Sequence, residues 1–312
     1  MKKFKKIIRA VLVLAVLAGL IYLIPKVITV VRLKRAADSY VAASSVSTFK
    51  DSKTTIIYDT NDQELCTMKN TKDMYYVSYQ EIPVTLVNSF VVMEDRQFYK
   101  HSGYDIKAIL RAIVINQKSN DIAQGASTIT QQLARNIFLS QEVTWQRKVE
   151  EIFIAVGLEK KYSKNQILEF YLNNIYFGNG YYGVEAAARG YFDKSVSELT
   201  LAEQAFIAAI PNNPTRYNPL TNYDNTVQRK NLILQQLYEA DDIGSLDRYM
   251  AETEEVVLNP HQTEEINNSV VTYARHCATE SLMSVSGFTF RYNFSSEDDY
   301  NAYEATYDTF YN

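Results

Sequence analysis

The stretch from Val84 to Gly103 constrains this chain most, because its spacing asks for a helix and turns a carboxylate toward the core. Pro83 suits the first position of a helix, and Gly103 supplies the positive φ that ends one. Between them Val84, Val87, Val91, Glu94 and Phe98 fall within an arc of about 80° on a helical wheel. Glu94 therefore shares the apolar stripe. A carboxylate that loses water binds its proton more tightly and is a better base near neutral pH. A structural ion pair is the alternative use of such a residue.

Composition narrows the classes. With 312 residues, 46% hydrophobic and 22% charged, the chain has the make-up of a globular protein with a sizeable core. Its net charge of -4 argues against nucleic acid as a partner, since that calls for a basic stripe or domain. Cys66 and Cys277 lie far apart with no CxxC spacing, and His101, His261 and His276 have no HExxH spacing, so no zinc or redox motif is present.

Residues 1–6 carry Lys2, Lys3, Lys5 and Lys6, and 7–24 is apolar apart from Arg9. This pattern predicts a cytoplasmic N-terminus at 1–6 and a transmembrane anchor over 7–24, with everything after residue 25 outside. No clear A-x-A site follows the run, so the anchor is expected to be retained. A linker is expected over 25–54, with a continued helix as the alternative over Val27–Ser47. Thr54–Asp59 reads as a strand, with Asn61 and Asp62 in a turn and Met74–Val77 as the candidate second strand. From Pro83 the chain turns helical.

A further helix is expected between Asp105 and Ile115, followed by a polar stretch from Asn116 to Gln124. Next come Gly125 to Asn136, where Ser127 or Thr128 suits a helix cap and Gln131 and Arg135 share a face. Hydroxyls and amides gathered behind a glycine suit sugar hydroxyls or phosphate oxygens. Arg147, Lys148 and Glu151 fall on adjoining faces of the next helix; as a surface salt bridge the set is worth about 0 to 1 kcal/mol. Ser163 with Gln166 and Thr200 with Glu203 form capping boxes. Gly178, Gly180 and Gly183, among Tyr176, Phe177, Tyr181 and Tyr182, mark a tightly packed loop.

These segments together resemble the peptidoglycan glycosyltransferase family, found in monofunctional transglycosylases and at the front of class A penicillin-binding proteins. Glu94-Asp95 with Phe98, His101 and Gly103 is similar to the family's first motif, and Gly125 with Ser127-Thr128-Ile129-Thr130-Gln131-Gln132 to its second. Arg147-Lys148 with Glu151 resembles the third, Ile167-Leu168-Glu169 with Tyr171-Leu172-Asn173 the fourth, and Gly183 to Ala188 with Tyr191-Phe192 the fifth. The order is the family's, over about residues 55–250. Arg135 departs from the family's usual Lys, keeping the charge but offering a planar fork in place of a point charge.

The resemblance implies a mainly α, lysozyme-like glycosyltransferase domain over 55–250, with a head lobe and a membrane-proximal jaw, preceded by one transmembrane helix. It implies polymerisation of lipid II into β-1,4-linked glycan strands with release of undecaprenyl diphosphate. Glu94 would be the general base of an inverting transfer. Arg135, Arg147 and Lys148 would meet the diphosphate, and Glu151 would orient those cations or help to hold a divalent cation, Mg or Mn, there. Asp95, His101, Ser127, Thr128, Gln131, Gln132 and Asn136 are the remaining candidate cleft residues, with a core role hydrogen-bonded to backbone as the alternative for His101. The implied partners are lipid II, the growing glycan chain, the bilayer and a separate transpeptidase. The implied location is the bacterial plasma membrane, single-pass, with the catalytic domain extracytoplasmic.

Residues 251–312 form an acidic, tyrosine-rich, linker-like segment in which Tyr300, Tyr303, Tyr307 and Tyr311 make one stripe of a helix, expected to pack on a partner. The S-x-x-K, S-x-N and K-[ST]-G set of a transpeptidase is not assembled in one domain, so no transpeptidase domain is expected. Two other readings remain at this stage: a lysozyme-like hydrolase or lytic transglycosylase using Glu94 as an acid, and a non-catalytic membrane-anchored scaffold of the cell-wall machinery.

Overall fold

The computed structural model describes residues 2–50, 55–61, 64–68, 74–108, 127–140, 142–260 and 269–311; over 2–21 it describes the backbone. The expected helix beyond residue 108, the polar stretch over 116–124 and Gly125 lie outside the described residues. The chain divides into two compact units, one of residues 1–52 with 74–261 and the other of 53–73 with 262–312.

The larger unit is mainly helical. Its helices are α1 (Lys2–Ala43), α2 (Val84–Glu94), α3 (Ile129–Phe138), α4 (Trp145–Lys161), α5 (Lys164–Asn174), α6 (Val184–Phe192), α7 (Leu201–Ala209), α8 (Tyr223–Glu239) and α9 (Ser245–Thr253). One core runs through it, with Phe90 and Phe98, Leu133, Ile154 and Leu158, Phe170 and Phe206 all at 1% exposure or less. Each such side chain contributes about 1.5 to 3 kcal/mol of burial. Helix α2 packs on α7 and α8, whereas α3 packs on α4 and α5.

Local signals start these helices where expected. Thr128 caps α3, Ser163 caps α5 and Thr200 caps α7, each with its reciprocal Gln or Glu, and α7 stops short of Pro211. Gly183 opens α6 at φ +86, and a Cβ there would stand 2.6 Å from the Asn173 carbonyl oxygen, so only glycine fits that turn.

Two expectations are corrected. The helix of the opening motif ends at Glu94 and does not run to Gly103, because Asp95 leaves it with φ -157 to place its carboxylate on partners elsewhere in the fold. Phe98 still reaches the core, from a short 3-10 turn over Phe98–Lys100, while Val84 is exposed and Glu94 only half-buried. Met74–Val77 is not a strand, since the Asn173 amide takes the place of a neighbouring strand. It accepts from the Val77 N–H at 2.9 Å and donates to the Val77 carbonyl at 2.9 Å.

The end of α1 lies along α4. Lys161 Nζ donates to the carbonyls of Val41 and Ala42 at 2.7 and 3.3 Å and to that of Ser44, covering the carbonyls that a helix end leaves open. Among the residues whose side chains are described no helix is long and apolar enough to cross a membrane, and the expected anchor over 7–24 lies mostly outside them.

In the smaller unit β1 (Thr55–Tyr58) pairs antiparallel with β2 (Glu64–Met68), with an irregularity between Ile57 and Tyr58. Helix α10 (Ser269–Val285) lies against both strands, and α11 (Glu297–Tyr311) follows it. The tyrosine stripe of α11 packs on its own chain. Tyr303 and Tyr307 stand 5.4 and 5.7 Å from the Phe288 ring, and Tyr300 stands 5.2 Å from Phe294.

Candidate active site

Asp95 organises the site from the end of α2. Its Oδ2 accepts the Ile129 N–H at 3.1 Å, at the positive end of the α3 dipole, and the His101 Nε2–H at 2.8 Å. His101 Nδ1 accepts the Gly103 N–H at 3.1 Å, which fixes the ring tautomer and occupies both nitrogens. Thr128 Oγ1 donates to the Gly103 carbonyl at 2.8 Å, and the Thr128 N–H is taken by Gln131 Oε1 at 2.9 Å. Asp95, His101, Thr128 and Gln131 thus form a brace between the turn after α2 and the start of α3. In this geometry His101 is hydrogen-bonded to backbone and carboxylate.

The brace sets Glu94 over the first turn of α3. Gln132 Nε2 donates to Glu94 Oε2 at 2.8 Å, and among the described residues no other side chain bonds that carboxylate. Tyr171 of α5 donates to the other end of the same amide, Gln132 Oε1, at 3.3 Å. Burial drives the Tyr171 phenol well above its ordinary range, with Glu94 and Asp95 adding and Arg135 opposing, so it stays a neutral donor.

A second cluster forms where α4 begins. Thr144 accepts the Arg147 N–H at 3.2 Å and so starts the helix that presents three charges. Glu151 is 1% exposed and bonds Arg147 with one oxygen and Lys148 with the other, the latter at 2.6 Å. Lys148 Nζ also donates to Ser127 Oγ at 2.6 Å. Two cations against one carboxylate leave a net positive charge. Of the buried side-chain donors without a partner among the described residues, Arg147 Nε belongs to this cluster, while Gln131 Nε2 and Arg135 Nε stand on α3. Such donors are costly unless an acceptor arrives. An anion suits this set.

The cluster is less suited to caging a metal. Each Glu151 oxygen already accepts from a cation, and among the described residues no group of three or more His, Cys, Asp or Glu side chains could hold an ion. Asn136 is half-buried on α3 and makes no side-chain hydrogen bond among the described residues.

A family model for transglycosylases matches residues 61–238, more than half of the chain. The chain belongs to the transglycosylase family. Every candidate site residue, from Glu94 to Glu151, lies inside that transglycosylase match. Penicillin-binding protein 4 of Bacillus subtilis is 43% identical over 212 residues, covering 68% of this chain and 34% of that protein. Penicillin-binding protein 1A of Escherichia coli is 42% identical over 222 residues, covering 70% of this chain and 26% of that protein. The chain therefore spans between about a fifth and a third of the length of the curated relatives it matches. A solved structure of penicillin-binding protein 1A from Haemophilus influenzae aligns with a TM-score of 0.40 at 21% identity, covering 74% of this chain and 24% of that one.

Sequence reasoning missed two residues that bond to this candidate site. Tyr171 stood in a motif but read as scaffold; the signal was a phenol in an apolar stripe, which needs a hydrogen-bond partner when buried. Glu159 was not singled out. It accepts from Thr130 Oγ1 at 2.6 Å and Lys164 Nζ at 2.7 Å and stands 4.0 Å from His101.

Proposed function

We propose that this transglycosylase polymerises lipid II into β-1,4-linked glycan strands, with Glu94 as general base. The observation that carries the reading is that α3 joins a carboxylate bonded through one oxygen to a cation cluster, with unpartnered buried donors on α3 and in the cluster. A glycosyl transfer that expels a diphosphate needs a base at one end and positive charge at the other.

In this reading Glu94 Oε1 takes the proton from the 4-hydroxyl of the acceptor sugar as that oxygen attacks the anomeric carbon of the lipid-linked donor. The new C–O bond forms on the face opposite the leaving group, and the bond to the diphosphate breaks with both electrons going to the phosphate oxygen. Arg135, Arg147 and Lys148 receive the charge. Glu151 holds Arg147 and Lys148 in register, while Ser127, Gln131, Gln132 and Asn136 line the cleft. A divalent cation, were one bound, would be held by Glu151 beside the diphosphate and would supply further positive charge for the leaving group; each Glu151 oxygen also accepts from a cation.

The apolar run over 7–24, led by lysines, would anchor the chain in the bacterial plasma membrane with residues 55–250 as the extracytoplasmic catalytic domain. A substrate whose lipid tail stays in the bilayer requires such an arrangement, and crosslinking of the product would fall to a separate transpeptidase. Labelled lipid II incubated with wild type and Glu94→Gln, read as a glycan ladder on a gel, tests the reading. A ladder that vanishes in the variant is expected. Shortening of preformed glycan by the wild type would instead indicate a hydrolase, and no reaction by the folded wild type a scaffold.

A further inference from the structure

We infer that Tyr171 is a positioning residue for Glu94, acting through the Gln132 side chain; this rests on the polymerase reading above. Three helices meet at this point. Glu94 closes α2, Gln132 lies in the first turn of α3, and Tyr171 comes from the middle of α5. The phenol donates to Gln132 Oε1 at 3.3 Å, and Gln132 Nε2 donates to Glu94 Oε2 at 2.8 Å. Tyr171 also holds α2 directly, its ring meeting Phe90 edge-on at 6.0 Å and 82°. Phe90 stands four residues before Glu94, on the same side of α2.

The chemistry of an amide explains what the hydroxyl adds. The terminal torsion of a glutamine is broad, so its carbonyl and amino ends exchange places at little cost unless neighbours discriminate between them. A carboxylate accepts and repels the carbonyl end. A buried phenol that remains protonated gives its hydrogen to that carbonyl end and so favours the same orientation from the other side. With the amide fixed, Glu94 Oε2 is occupied and Oε1 is the oxygen left to take the acceptor's proton. Without the phenol the amide and carboxylate keep their bond but lose one of the two constraints on its direction, and misdirection of a base lowers turnover while leaving substrate affinity intact.

The test compares wild type, Tyr171→Phe, Gln132→Ala and the double variant in full-length enzyme, measuring kcat and KM for lipid II polymerisation alongside thermal unfolding. Tyr171→Phe keeps the ring on Phe90, so the unfolding midpoint should stay close to wild type. Its kcat should fall about threefold to tenfold at unchanged KM, the scale of one hydrogen bond. Tyr171→Phe should add nothing on the Gln132→Ala background, because the path to Glu94 is already cut. Equal kcat in wild type and Tyr171→Phe would overturn the inference, as would a fall of the same size in both backgrounds or one that tracks lost folding. A wild type that forms no glycan from lipid II overturns the polymerase reading and this inference with it.

Discussion

Lys148 reaches from α4 to Ser127 at the head of α3, its Nζ donating to the hydroxyl at 2.6 Å while it holds Glu151 Oε2 at 2.6 Å. Two of its three N–H groups are thereby directed, and the third remains for an incoming anion. Ser127→Ala should release this half-exposed side chain without disturbing the core, raising KM for lipid II about threefold to tenfold with little change in the unfolding temperature. Lys148→Ala removes the charge itself and should cost at least about tenfold in kcat/KM. Steady-state kinetics on labelled lipid II would show it; unchanged constants in both variants would remove Lys148 from the site.

Glu151 is buried and serves two cations, so replacing it with glutamine leaves one of them facing an amide donor. With Arg147 mostly buried but Lys148 39% exposed, the loss should be about 1.5 to 3 kcal/mol, or on the order of 5 to 10 °C in a domain of this size. Replacing Arg147, Lys148 and Glu151 together by methionine removes all three charges and should restore most of that stability while leaving glycosyl transfer abolished. Calorimetry beside the ladder assay separates the two. A triple variant that polymerises would deny the cluster any part in the chemistry.

What the sequence made legible follows from how local each determinant is. Thr128, Ser163 and Thr200 each cap a helix with a partner three residues on, and all three caps form. The end of α2 was hidden because Asp95 finds Ile129, 34 residues later, and a helical wheel knows nothing of that bond. The false second strand has the same cause, since Asn173 satisfies Val77 across 96 residues. Glu94 and Gln132 were both singled out, but their bond, and the phenol behind it, exist only once α2, α3 and α5 are packed.

His101 and Gly103 make a prediction that distinguishes a brace from a reacting group. A Cβ on Gly103 would stand 2.8 Å from the backbone of Ala155 and Val156 at φ +104, so Gly103→Ala should destabilise by about 3 kcal/mol or more. His101→Ala leaves Asp95 with only the Ile129 N–H and should cost about 1 to 3 kcal/mol. In both variants activity per folded molecule, taken from ladders normalised to the native fraction, should fall less than the fraction itself. A fully folded but inactive His101→Ala would assign the ring to the reaction.

Alkaline pH tests the burial of the site's phenol. Burial raises Tyr171 well above the ordinary value of about 10, and it raises Tyr76 and Tyr191 likewise, with the Glu169 carboxylate adding to the effect on Tyr76. Each keeps its proton in the folded chain after the unfolded chain has released it, so above pH of about 10 the folded state binds more protons and stability falls as pH rises. Below that pH the contribution is fully present. The loss from the fully buried Tyr171 is about 1.4 kcal/mol per pH unit. Tyrosinate absorbance and helical circular dichroism followed together should show exposed phenols ionising first and the buried ones only as helix is lost. Tyr171→Phe should unfold at higher pH than wild type, and an unchanged alkaline midpoint would mean that this phenol already reaches solvent in the folded chain.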